Sequence, residues 1–77
     1  MNTLLDRITI EPELCHGKPC VRGMRFPVDV ILEHLAAGDT AEDLTAEFPE
    51  LEKDDILACI AYGAAAVRLR EPEMAAA

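Results

Sequence analysis

Ile8-Thr9-Ile10 alternates apolar and polar with β-branched side chains, the period of a strand, and Glu11-Pro12-Glu13 closes it. Cys20-Val21-Arg22, bounded by Pro19 and Gly23, reads as a second short strand, and the two are expected to pair as an antiparallel ribbon closed by a long loop. Such a ribbon is marginal alone in water, so it is expected to lean on helices or on another chain. Val28, Ile31, Leu32 and Leu35 then follow at helical spacing. Pro27 suits the first turn of that helix and Gly38 stops it. Thr40 with Asp43 has the spacing of a capping box, Leu44 and Phe48 face inward, and Pro49 ends the second helix. Leu51 bridges a short turn. A third helix starts near Lys53, with Asp54 and Asp55 at its positive end and Arg68 and Arg70 at its negative end, before Pro72.

The pattern predicts a mainly α domain of three helices with an N-terminal β-ribbon. Its strands are expected near 8–10 and 20–22 and its helices near 28–37, 41–48 and 53–70. Residues 8–70 form the core of a single domain, and 71–77 a flexible tail. Residues 56–67 of the third helix carry no charge. A helix apolar all round must be covered all round, and two short helices cannot do that. A homodimer through Ile60, Ala61, Ala64 and Ala65 is therefore expected, against the plainer alternative of exposed alanines in a monomer.

Length sharpens this. A chain of 77 residues hides only roughly 60% of its unfolded surface and usually needs a disulfide, a metal or a partner as a staple. The start lacks a signal peptide's basic end and apolar core, and no charge-free run approaches a membrane span. A cytoplasmic protein is expected, with its three cysteines as reduced thiols. A partner chain is left as the favoured staple.

Charge is unevenly placed. The net charge is −8, yet residues 15–25, CHGKPCVRGMR, hold Lys18, Arg22 and Arg25 and no acid. Acidic residues crowd the middle, from Asp29 to Asp55. Arginine suits bidentate contact with carboxylates or phosphates. The expected partner-binding residues are thus Lys18, Arg22 and Arg25, for carboxylates or phosphates of a protein or nucleic acid, on a loop shaped by Gly17, Pro19 and Gly23. The competing reading is that these bases pair with the chain's own acids and stiffen the loop.

Other chemistries fit less well. The second and third helices have helix–turn–helix order, but Glu50, Glu52, Asp54 and Asp55 would repel phosphates, so any DNA binding through this helix is weak. Cys15 and Cys20 form a C-x4-C without a second pair, which argues against a metal site. Cys15 beside His16 lacks an orienting acid for thiol catalysis. Gly17-Lys18-Pro19 lacks the glycine run of a phosphate loop. Neither a cofactor nor a catalytic residue is expected.

The run Ile10-x4-Cys15-x-Gly17-Lys18-Pro19-x-Val21-Arg22-Gly23-x-Arg25-Phe26-Pro27-Val28, then Ile31-Leu32-x2-Leu35-x2-Gly38, then Phe48-Pro49-x-Leu51-x3-Asp55-Ile56, resembles domain-of-unknown-function family 433 from about Ile8 to Val67. Met24 stands where members usually have threonine, and His16 where many have glycine. The resemblance implies a small, mainly helical fold of the homeodomain-like or winged-helix-like kind, and an antitoxin of a toxin–antitoxin pair beside a toxin of PIN-like nuclease fold, which Lys18, Arg22 and Arg25 would then contact. A DNA-binding regulator using the basic loop is the alternative, and a small metal-dependent or thiol enzyme comes third.

Overall fold

The computed structural model describes residues 4–69. Two strands, β1 (Ile8–Ile10) and β2 (Pro19–Val21), precede three helices, α1 (Val28–Ala36), α2 (Ala41–Glu47) and α3 (Lys53–Leu69). The protein is mainly α with a small N-terminal antiparallel ribbon, as the periodicity predicts. The tail expected at 71–77 and the end of the third helix at Arg70 lie outside the described residues.

The strands pair Ile8 with Val21, Thr9 with Cys20 and Ile10 with Pro19. The second strand starts one residue earlier than its sequence suggests, because Pro19 opens it, a place where a missing N–H is tolerated. It also ends earlier, because Arg22 turns out of it with φ 46°. Arg22 and Gly23 (φ 70°) are the two central residues of a tight turn closed by Met24 N–H donating to Val21 O at 2.8 Å. Positive φ at both positions is the signature of a type I′ turn. Val21 N–H then reaches Phe26 O at 3.1 Å, and Cys20 bridges to Pro27.

Pro27 sits just outside α1, as its N-cap. Thr40 and Asp43 form the expected capping box, with Asp43 N–H donating to Thr40 Oγ1 at 3.0 Å and Thr40 N–H to Asp43 Oδ2 at 2.9 Å. These bonds satisfy donors that the first turn of α2 would otherwise leave orphaned. The core gathers Val21, Val28, Ile31, Leu44, Leu51, Ile56 and Cys59, with Phe26 and Phe48 packed edge to face at 5.4 Å. Each apolar face of the three helices, and the buried side of the ribbon, contributes to this one cluster. Gly63 lets α1 and α3 approach closely, since a Cβ there would lie 3.2 Å from Leu32 Cδ1.

One side of α3 is covered, with Asp55, Ile56, Ala58 and Cys59 buried. Its other side presents Leu57, Ile60 and Val67 to solvent. Among the described residues, no helix is long and apolar enough to cross a membrane.

Candidate functional site

The sequence draws attention to the basic loop, and the structure divides its three bases between different tasks. Arg22 turns inward. Its Nε donates to Asp55 Oδ1 at 3.0 Å and its Nη2 to Asp55 Oδ2 at 2.8 Å, a bidentate fork. The same Nη2 donates to the carbonyl of Glu50 at 3.0 Å. The expectation of an outward Arg22 is therefore corrected: its head group lies in an internal clasp. The driving force is the burial of Asp55, which has no solvent exposure and would be costly if left unpaired.

Arg7 completes the clasp from the other side, with Nη1 2.9 Å from Asp55 Oδ1 and 2.8 Å from Glu52 Oε1. Asp55 Oδ2 also accepts the backbone N–H of Glu52 at 2.8 Å, the reach of an N3 side chain back to the N-cap. The two arginines are held together by backbone as well, since Arg22 N–H donates to Arg7 O at 2.6 Å. One carboxylate thus ties the ribbon to the first turn of α3. Burial alone would push its pKa up. The Arg22 fork, the Glu52 amide and Arg7 outweigh that and hold it at about 2.

One expectation about α3 changes accordingly. Asp54 is exposed, with its carboxylate 3.7 Å from Arg7 Nη2, while Asp55 is buried and neutralised and so adds nothing to the outer acidic surface. Arg7 escaped the sequence reading altogether. The available signal was Asp55 at the third position of its helix, but nothing local names a partner 48 residues away.

Lys18 and Arg25 remain outside. Lys18 makes an exposed ion pair with Asp29 at 3.1 Å. Arg25 is exposed and, among the described residues, makes no hydrogen bond or ion pair. The segments holding them, one before β2 and one after it, each have a fixed path. Cys15, His16 and Gly17 have φ of 52°, 58° and 80°, and Gly23 has 70°. For a side chain with a Cβ this region costs roughly 1–2 kcal/mol. Glycine enters it freely. Met24 packs its side chain against the core. Next to Lys18 an apolar slot of about 240 Å³ opens between Pro19, Asp29, Leu32 and Tyr62.

All three cysteines are free. Burial pushes the Cys20 thiol up to about 11, helped by a hydrogen bond with Cys15, and pushes Cys59 up to about 12, helped by the nearby Asp55 charge. Among the described residues, no group of three or more His, Cys, Asp or Glu side chains is placed to hold a metal ion. Of the expected dimer residues, Ile60 and Ala64 are exposed while Ala61 and Ala65 are half-buried.

The model of the family described as "Protein of unknown function (DUF433)" matches residues 8–63, a span that includes the ribbon, the basic loop, Asp55 and most of α3. The chain belongs to the DUF433 family. A crystal structure of a DUF433 member from Anabaena variabilis ATCC 29413 superposes with a TM-score of 0.77 at 27% identity, covering 95% of this chain and 72% of that one. No curated protein matches the chain. Within the DUF433 chain described here, Arg22, Gly23 and Asp55, all part of the resemblance read from sequence, meet in one place: the type I′ turn puts Arg22 on the Asp55 carboxylate.

Proposed function

We propose that this DUF433 protein is a non-catalytic cytoplasmic interaction domain, the antitoxin of a toxin–antitoxin pair, which neutralises a PIN-like nuclease toxin by protein–protein contact. The observation that carries this reading is the exposed, unpaired Arg25 on a loop whose backbone path is fixed by left-handed residues and by the Arg22–Asp55 fork behind it. An arginine held out by a stiff loop loses little freedom on binding, which favours an anchoring contact.

The toxin's chemistry supplies the complement. Metal-assisted phosphoryl chemistry uses clustered carboxylates, and a guanidinium is suited to enter such a cluster. Lys18 lies at the other end of β2. The exposed acids Glu42, Glu47, Glu50 and Asp54 offer a second, opposite surface for a basic RNA-binding face.

The test is co-purification with a PIN-like nuclease encoded beside this chain, followed by a titration and an RNA-cleavage assay. Arg25→Ala is expected to weaken the complex by about 2 kcal/mol or more, the loss of an interface anchor, and to release nuclease activity. Arg25→Lys is expected not to restore it, because lysine lacks the planar fork. Wild-type affinity in both variants counts against the reading. Sequence-specific DNA binding that requires Lys18 and Arg25, without any toxin complex, favours a transcriptional regulator instead.

A further inference from the structure

The exposed side of α3 has an order that composition alone does not reveal. Leu57, Ile60, Ala64 and Val67 are spaced three, four and three apart, the alternation of a coiled-coil seam, and all four are exposed. Leu57, Ile60 and Val67 are 40%, 47% and 60% exposed, high for large apolar side chains on a 17-residue helix. An open groove of about 860 Å³ runs beside them, lined by Leu32, Ile60, Gly63, Ala64, Val67 and Arg68.

We infer that this seam packs against the α3 of a second copy of the chain, antiparallel, about a two-fold axis between Ile60 and Ala64. Two features select this occupant. The first is self-complementarity. The spacing is symmetric about its centre, so an antiparallel copy sets Leu57 against Val67 and Ile60 against Ala64, large against small in the second case. A two-fold interface requires that reciprocity.

The second is charge. A chain of net charge −8 resists self-association over most of its surface, but the seam is uncharged from residue 56 to 67. The last turn carries exposed Arg68, and the first turn carries exposed Asp54, which lies 3.7 Å from Arg7 Nη2, beside exposed Lys53. Antiparallel packing brings Arg68 of each copy level with the Asp54 turn of the other, and aligns the helix dipoles favourably. Parallel packing sets Arg68 beside Arg68. Ala61, next to the seam, is small enough to admit the close approach. Ala65 is turned about 100° from Ala64 and takes no part.

This inference is independent of the antitoxin reading, and its test uses the protein alone. In sedimentation equilibrium at micromolar concentration, the wild type is expected to be a dimer. Ala64→Glu is expected to be a monomer that keeps its helical circular dichroism, since the site is exposed. Arg68→Ala is expected to weaken the dimer, and Arg68→Asp to weaken it further. A monomeric wild type, or a dimer undisturbed by Ala64→Glu, overturns the proposal. An Arg68→Ala dimer tighter than wild type overturns the antiparallel arrangement. Should Ala64→Glu fail to fold, the Arg68 pair, in the exposed last turn, decides the question.

Discussion

Arg22 and Asp55, 33 residues apart, face each other as a fork on a carboxylate, with both oxygens of Asp55 engaged at 3.0 and 2.8 Å. The pair joins the turn after β2 to the start of α3, and through Arg7 it also holds the segment before β1. In so small a domain, with few core side chains, this is the contact that fixes the ribbon on the helices.

Removing the acid should therefore be severe. Asp55→Ala leaves two guanidinium groups and the Glu52 amide facing an apolar void. It is expected to cost about 3 kcal/mol or more, in line with breaking other buried pairs, as read by denaturant unfolding. Arg22→Ala should lower the melting temperature clearly and Arg22→Lys by less. Arg25→Ala, at an exposed and unpaired site, should change stability by less than about 0.5 kcal/mol. Equal effects at Arg22 and Arg25 would contradict the division of labour in the loop.

Acid should unfold the protein through the same carboxylate. The folded pKa of Asp55, about 2, lies below the ordinary value of about 3.9. Its contribution is fully present above about pH 4 and is lost as pH falls towards 2. The difference corresponds to about 2–3 kcal/mol. A pH series of urea unfolding curves should show that loss between about pH 4 and 2, and Asp55→Asn, if folded, should flatten this part of the profile.

Thiol reactivity should separate the cysteines. Cys20 and Cys59 are buried, with thiols pushed up to about 11 and 12, and the thiolate is the reactive form. A disulfide reagent should label Cys15, the least buried of the three, first. The other two should react only after denaturation. Rapid labelling of three groups in the native protein would contradict the packing around β2 and α3.

His16 offers a stabilising change. Its φ of 58° is strained for a side chain with a Cβ by roughly 1–2 kcal/mol. Glycine removes that strain but adds freedom to the unfolded chain, worth about 0.4–1 kcal/mol. His16→Gly is expected to raise stability by about 0.5 kcal/mol, measured as a higher denaturant midpoint. A drop would mean that the imidazole makes a contribution the backbone argument omits.

The sequence by itself determined the elements. Helical spacing at Val28, Ile31, Leu32 and Leu35, the Thr40–Asp43 box and the alternation at Ile8–Ile10 are local patterns, and local sterics and hydrogen bonding suffice to read them. The positive φ of Gly17 and Gly23 was legible for the same reason. Where each charge points was decided by the tertiary structure. Asp54 and Asp55 are neighbours of one type in one helical turn, yet one is exposed and the other fully buried, because the helix face meeting the ribbon is set by packing. Arg22 and Arg25 were equivalent in the sequence for the same reason. A buried carboxylate draws its counter-charges from wherever the chain has folded, and here it drew Arg22 and the distant Arg7 while Arg25 stayed in solvent.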